Sequence, residues 1–346
     1  TTTTADNNNN NKGLNMQQGP SLAMSSAPSL RLLLLALPGL ALAAALEPEV
    51  ASFSDTWGGK HSVVGFEPRG RSGLPVYIWL AGSGFTWHNW TTDRELLSRM
   101  AALGAVAGQC AYENWKYPLG GCSGFLDKAA PIFNSSDPQS CLARLCARPG
   151  ADCTKGVAVH GFSQGAQLAA LAKNFAPEVS AALVQGHGDN PNPFADLASC
   201  MDYSDASGKR NPLHGLDRRQ VRSLVGEHDG TFSCCFNQPD DQCCWRKRSG
   251  RQQQTATTGY ACPEGQYDCL QPDGSGWYVV SDGDANKTEG ANHCFAWAGG
   301  CLPQPHDQWN PRYAGDCKWC LDSNLRWLHG AATRFSSERL AQAIVV

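Results

Sequence analysis

The sequence has no excess of charge of either sign and no long basic run. Its formal net charge is −3 at pH 7 over 346 residues, and no run of lysine and arginine is longer than the tripeptide at 246–248. A nucleic-acid-binding surface usually needs a patch or stripe of such cations to neutralise phosphates. The sequence therefore predicts no nucleic acid among the partners.

The sequence also lacks an apolar run of membrane-spanning length near its N-terminus. The run from Leu32 to about Leu46 has roughly 15 residues and is interrupted by Pro38-Gly39, whereas about 20 are needed. Arg31 precedes it, and small residues suitable for cleavage lie at Ala43–Ala45. These features predict a cleaved secretory signal rather than an anchor, and therefore a secreted protein without stable membrane insertion.

No internal repeat or linker divides the remainder of the chain. Residues 1–46 are predicted to be a low-complexity N-terminus with the signal peptide, and residues 47–346 to be one domain. The stretch at about 231–270 differs from its surroundings, because six cysteines lie there among polar residues and glycines. It is predicted to be a disulfide-held insertion rather than further sheet.

Cysteine is abundant, with 16 residues. An even, high count is typical of an oxidising compartment, and the glycosylation triplets at Asn89, Asn134 and Asn286 agree with secretion. Cys317 and Cys320 could form half of a zinc site, but the other cysteines do not complete a four-ligand spacing. We therefore expect disulfides and no metal.

Strand-like and helix-like segments alternate along the chain. An apolar stretch at 74–82 ends in glycine, helical spacing follows at 94–104, and further strand patterns lie at 157–160 and 180–188. A helix is expected at 137–149 and another near 336–346. This order predicts an α/β fold with a mostly parallel central sheet and helices on both faces.

The pentapeptide "GFSQG" places Ser163 between a strand pattern and a helix pattern. Gly-X-Ser-X-Gly alone is a weak signal, but the order of strand, turn and helix is what a nucleophile elbow requires. Gly161 and Gly165 fit the elbow because a side chain at either position would collide with the neighbouring strand or helix. Ser163 is therefore the candidate nucleophile.

On these residues the chain resembles the α/β-hydrolase superfamily, and its layout is similar to that of secreted esterases of the dienelactone-hydrolase and polyhydroxyalkanoate-depolymerase type. The resemblance covers about residues 74–300. It implies the α/β-hydrolase fold, with the disulfide-rich insertion added to it. It also implies a catalytic domain over 47–346, in which the nucleophile, the acid and the histidine follow one another along the chain.

The resemblance places the acid in a loop after a strand beyond the elbow and the histidine in a late loop. Asp229 follows the predicted strand at 221–225 and is the expected acid, with Glu227 as the alternative. His293 lies in a loop of glycine and asparagine and is the expected base. His306 and His329 are its competitors.

Two further sets of residues are implied. The oxyanion hole is expected to consist of the backbone amides of Gln164, which follows the nucleophile, and of Ser83, with Gly84 as the alternative to Ser83. Relatives often have His-Gly where this chain has Ala81-Gly82. Trp87 and Trp90 lie in the loop after the first strong strand, where they either bind substrate or cap the core.

The sequence therefore predicts a secreted serine hydrolase that cleaves carboxylic esters, small or polymeric, through an acyl-enzyme and without a cofactor. A peptidase or thioesterase would use the same residues with a different pocket. A non-catalytic secreted binding protein on the same fold is the alternative from another class. All three catalytic positions are filled, which favours an enzyme.

Overall fold

The computed structural model describes residues 49–84, 91–116, 118, 120–187, 198–202, 210–230, 250–286, 290–299 and 307–344. Residues 47–346 form one compact unit. The strands are β1 (Val50–Trp57), β2 (His61–Pro68), β3 (Val76–Leu80), β4 (Val106–Cys110), β5 (Val157–Phe162), β6 (Val179–Gln185), β7 (Val221–Gly226), β8 (Asp268–Leu270) and β9 (Gly276–Val280). The α-helices are α1 (Thr91–Ala102), α2 (Cys122–Phe133), α3 (Cys141–Cys146), α4 (Gln164–Leu171), α5 (Ala198–Met201), α6 (Gly250–Thr258), α7 (Asp282–Ala285) and α8 (Leu321–Ile344).

Within the described residues the strands form a single sheet in the order β1-β2-β4-β3-β5-β6-β7-β9-β8. β2 is antiparallel to both β1 and β4, and β8 is antiparallel to β9. The six strands from β4 to β9 in this order are parallel. This crossover order, with helices on both faces, is the α/β-hydrolase fold, so the predicted fold class is confirmed.

The alternation of side chains along the parallel strands divides the core into two faces. Val76, Ile78 and Leu80 of β3 point to the face that α4 covers. Tyr77 and Trp79 point to the opposite face, where α1 and α8 pack. Each central strand is buried on both faces, which explains why these strands are near-continuous apolar runs in the sequence.

Several elements differ from the sequence-based expectation. The hairpin of β1 and β2 was not predicted, because most of its side chains are exposed or half-buried and its apolar pattern is weak. The final helix begins at Leu321 rather than near 336. The described end of the 231–270 stretch contains α6 and also β8, which adds an edge strand to the sheet, so the expectation of no further sheet is wrong there.

Disulfides link elements across the covered faces. Cys110 of β4 pairs with Cys141 of α3, and Cys122 of α2 pairs with Cys200 of α5. The other pairs among the described residues are Cys146–Cys153, Cys262–Cys269 and Cys317–Cys320. Cross-links of this kind stabilise the fold mainly by restricting the unfolded chain. Cys317 and Cys320 are thus partners of each other rather than half of a zinc site.

In the part of the chain that the structure describes, no helix combines the length and the apolar character needed to cross a membrane.

Candidate active site

Ser163 lies on the turn between β5 and α4, at the carboxyl end of a central strand. Its backbone has φ 56° and ψ −121°, a conformation that non-glycine residues seldom adopt and that clusters at functional sites. The Ser163 amide donates to the Gln185 carbonyl of β6 at 2.9 Å, which fixes the turn against the next strand. The sequence pattern thus marks a sharp turn, and Ser163 stands at its apex.

The two glycines of the pentapeptide are required by close backbone approach. A Cβ atom on Gly161 would lie 2.1 Å from the carbonyl oxygen of Gly165. A Cβ atom on Gly165 would lie 2.2 Å from the carbonyl oxygen of Leu80 on β3. Any side chain at either position would push the helix away from the sheet, as the sequence analysis expects.

Asp229 and His293 form a buried hydrogen-bonded pair. Asp229 follows β7, and its Oδ2 lies 2.8 Å from Nδ1 of His293. The two residues are 2% and 8% exposed. Because a carboxylate only accepts hydrogen bonds, Nδ1 is the donor, and the imidazole therefore offers Nε2 to any further partner.

The alternatives to this pair lie elsewhere. The Glu227 carboxylate accepts from the Tyr267 hydroxyl at 2.7 Å and from the Asp282 amide at 3.2 Å. His329 lies on α8, where it faces the backbone of Gly104. His306 lies outside the described residues. It is therefore Asp229 and His293 that the structure brings together.

Shared neighbours bring His293 close to the elbow. The ring of Phe162, the residue before Ser163, lies 4.8 Å from the His293 ring between centroids. On the other side, a Cβ atom on Gly186 would lie 3.0 Å from Cε1 of His293. Gly186 follows Gln185, whose backbone carbonyl accepts the hydrogen bond from the Ser163 amide. The imidazole thus packs against residues on both sides of the serine turn.

Ser83 and Gln164 are in direct contact. The side-chain Nε2 of Gln164 donates to the Ser83 hydroxyl oxygen at 3.0 Å. Gln164 is the first residue of α4, so its backbone amide has no acceptor within the helix. The Gly84 amide donates to the Asn114 carbonyl at 3.2 Å and is therefore occupied, which favours Ser83 over Gly84 as the second oxyanion donor.

The loop that carries Ser83 is held by the segment after β4. The Tyr112 hydroxyl donates to the Ala81 carbonyl at 2.5 Å, and Nδ2 of Asn114 donates to the Gly82 carbonyl at 2.8 Å. Both donor side chains are buried or nearly so. Sequence reasoning did not single out either residue, since only the fold brings residues 112 and 114 against this loop.

A second feature that the sequence did not reveal is a brace between the acid loop and the histidine loop. One oxygen of Asp282 accepts from the Ala291 amide at 2.7 Å, and the other lies 2.9 Å from Nε2 of His228. The bond from Ala291 lowers the pKa of Asp282. Ligand atoms of Glu227, His228 and Asp282 lie within 4.8 Å of one another, and the hydrogen bonds named here account for that grouping.

The tryptophans near the oxyanion loop have separate places. Trp87 and Trp90 lie outside the described residues, so their predicted substrate contact stays a prediction. Trp79 is buried in the core at 1% exposed, and Trp115 is 68% exposed.

A cavity of about 570 Å³ lies between the β1–β2 hairpin, the segment after β4 and α2. Trp57 and Tyr112 supply aromatic lining, and Lys128 of α2 supplies a cation. The Lys128 ammonium donates to the side-chain oxygen of Gln164 at 2.7 Å. This contact connects the cavity wall with the residue that follows Ser163.

Comparison with known proteins gives only distant likenesses. No protein-family model and no curated protein matches the chain. Among solved structures, a Klebsiella pneumoniae protein assigned to the dienelactone hydrolases is similar at 15% identity and TM-score 0.35, over 53% of this chain and 75% of that one. Esterases from Pyrobaculum calidifontis and Pseudomonas putida are similar at 18% and 17% identity, both with TM-score 0.34.

These matches cover 52% and 53% of this chain, and 67% and 65% of the two esterases. The chain thus spans about two thirds of the esterases that it resembles. Likeness at this level carries no argument about the chemistry of this chain.

Proposed function

We propose that the protein is a serine hydrolase that cleaves carboxylic esters, with Ser163 as nucleophile, His293 as base and Asp229 as the residue that orients His293. The observation that carries this proposal is the buried Asp229–His293 bond of 2.8 Å, with its imidazole packed against Phe162 beside the strained turn of Ser163. A serine hydroxyl needs both an adjacent base and a group that orients the base.

The reaction follows the acyl-enzyme route. Ser163 Oγ attacks the carbonyl carbon of the ester while Nε2 of His293 takes the hydroxyl proton. The tetrahedral intermediate collapses, the bond to the alcohol oxygen breaks, and His293 returns the proton to the departing alcohol. Water then attacks the acyl-enzyme in the same way, which releases the acid and restores Ser163.

The negative charge of each intermediate falls on the former carbonyl oxygen. The backbone amides of Gln164 and Ser83 are the donors that we assign to it, and the loss of one such donor typically costs about 10²–10³ in rate. Asp229 supports the reaction by holding the proton on Nδ1 of His293 and by stabilising the imidazolium that forms.

The substrate that we propose is a small ester, or an ester group within a polymer. The cavity of about 570 Å³, whose wall residue Lys128 contacts Gln164, has the size of a small-molecule site, and Trp57 and Tyr112 line it together with charged side chains. Its aromatic part supports an apolar or aromatic group on one side of the ester.

We also propose that the protein is secreted. The five disulfides among the described residues support an oxidising compartment. Asn134 and Asn286, two of the three triplet asparagines, are exposed at the ends of α2 and α7, as glycan attachment needs. N-terminal sequencing of the protein exported by a eukaryotic host tests this proposal.

Replacement of Ser163 by alanine tests the activity directly. We expect the wild-type protein to hydrolyse p-nitrophenyl butyrate and to form one fluorophosphonate adduct, located at Ser163 by peptide mass. Ser163→Ala should lose the adduct and lower kcat at least 10³-fold, because the nucleophile is removed while the oxyanion donors stay.

Ser123→Ala is the matched control, since Ser123 is an exposed serine at the start of α2. It should be labelled and active like the wild type. A folded wild-type protein that takes up no probe and turns over no ester would contradict the proposal and favour the binding-protein alternative.

A further inference from the structure

A chain of side-chain hydrogen bonds joins the two residues that we assign to the oxyanion hole. It begins at Lys128 on α2, whose Nζ donates to Oε1 of Gln164 at 2.7 Å. It continues from Nε2 of Gln164 to the hydroxyl oxygen of Ser83 at 3.0 Å. Residues from three separate elements, the loop after β3, α2 and the start of α4, thus meet at the nucleophile turn.

The chain has a fixed direction. An ammonium group has donors but no acceptor, so Lys128 can face only the oxygen of the Gln164 amide. The NH₂ group of that amide must then point the other way, toward Ser83, whose hydroxyl oxygen accepts. Because the Ser83 oxygen is the acceptor of this bond, its own hydrogen is directed to a different partner.

Lys128 is well placed to impose this direction. It is half-buried, it lies 5.4 Å from the centroid of the Tyr112 ring, and it also donates to the Lys116 carbonyl. Among the described residues no carboxylate lies within ion-pair distance of Lys128. Burial lowers its pKa to about 8, so the ammonium form still predominates at neutral pH.

We propose that the Ser83 hydroxyl is a third donor to the oxyanion, beside the two backbone amides, and that Lys128 is a positioning residue that acts on it through Gln164. The proposal rests on the proposed esterase function. It assigns Ser83 a catalytic role through its side chain, whereas any residue except proline could supply the backbone amide.

The side chain of Ser83 can be tested while its amide is left intact. For p-nitrophenyl butyrate we expect Ser83→Ala to lower kcat about 10–100-fold with KM within about threefold, because the lost bond forms only with the developing charge. Ser83→Thr keeps a hydroxyl and should recover kcat to within about fivefold of the wild type. Fluorophosphonate labelling at Ser163 and an unchanged Tm confirm that each variant is folded.

A double-mutant cycle tests the positioning role of Lys128. Lys128→Met should lower kcat about 3–10-fold in the wild-type background and should have almost no effect in the Ser83→Ala background, because its target hydroxyl is then absent. Lys128→Arg retains donors and charge and should recover most of the rate. Lys318→Met is the control, since Lys318 is exposed, lies outside the lining of the cavity, and bonds through Nζ to Asp268 at 2.5 Å.

The outcomes separate this inference from the function on which it rests. A wild-type protein without turnover or labelling would overturn both proposals. An active wild type whose kcat is unchanged by Ser83→Ala would overturn the third donor alone. Equal effects of Lys128→Met in the presence and absence of the Ser83 hydroxyl would overturn the positioning role.

Discussion

The two faces of the central sheet are built from different side chains. On the face covered by α4, the strands contribute aliphatic groups such as Val76, Ile78 and Val159, all fully buried. On the face covered by α1 and α8, polar side chains alternate with apolar ones, among them Gln109 and His160. The first face is held by apolar packing and by the Cys110–Cys141 disulfide, whereas the second also depends on buried hydrogen bonds.

Asp93, in the first turn of α1, is a buried acidic group on this face. Its carboxylate is buried between α1 and the sheet, and it accepts from Nε1 of Trp79 at 3.1 Å and from Nε2 of Gln109 at 2.9 Å. Burial raises the pKa of Asp93 to about 7, since the two hydrogen bonds only partly offset the loss of water.

The polar face continues toward the active site. Nδ1 of His160, on β5 three residues before Ser163, lies 2.9 Å from the Tyr77 hydroxyl. The Tyr313 hydroxyl donates to the side-chain oxygen of Gln185. The backbone carbonyl of Gln185 accepts from the Ser163 amide. Burial lowers the pKa of His160 to about 3, so its imidazole is neutral. The hydrogen-bonded face of the sheet therefore lies beneath the nucleophile turn.

Among substitutions that probe the difference between the two faces, the largest effect is expected from Asp93→Asn. In the folded protein the pKa of Asp93 is raised to about 7, from 3.8. The folded state therefore holds the proton more tightly than the unfolded state, so the contribution of Asp93 to stability is fully present below about pH 4 and is lost as pH rises to 7. An asparagine carries no charge and avoids this loss.

Urea unfolding at pH 4.5 and pH 8 measures the effect. Relative to the wild type, Asp93→Asn should gain about 3 kcal/mol of unfolding free energy between the two pH values. The Gln109 amide can turn to present its oxygen to the new NH₂ group, because that oxygen has no hydrogen-bond partner among the described residues. Asp127→Asn, at an exposed position of α2, controls for the substitution itself, and an equal pH response in both variants would contradict the prediction.

The sequence predicts the nucleophile turn but not the polar contacts beneath it. The turn can be predicted because its requirements are local. Gly161 and Gly165 flank Ser163, and a Cβ atom on either one would lie 2.1 or 2.2 Å from a backbone carbonyl oxygen. Asp229 and His293 were predicted from the order of motifs in the α/β-hydrolase superfamily, and in the structure Oδ2 of Asp229 lies 2.8 Å from Nδ1 of His293.

The polar contacts were not predicted because they join residues far apart in the chain. From the sequence, Asp93 is an acidic residue in the first turn of a helix, and such a residue is expected at the surface, where it interacts favourably with the helix dipole. From the sequence, Lys128 is expected to be a solvated lysine on α2, but in the structure its ammonium group donates to the side chain of Gln164. In both cases the partner is set by strand order and packing, which local patterns do not encode.

A smaller effect is expected from placing a hydroxyl group on the aliphatic face of the sheet. Val159→Thr on β5 keeps the side-chain shape and adds one polar group at a fully buried position surrounded by apolar side chains. An unsatisfied buried hydroxyl should lower the free energy of unfolding by about 1–2 kcal/mol in urea titrations at pH 7. Val64→Thr on β2, where the side chain is half-buried and water can reach the hydroxyl, should lower it by less than about 0.5 kcal/mol. Equal losses would mean that the faces do not differ in their tolerance of polar groups.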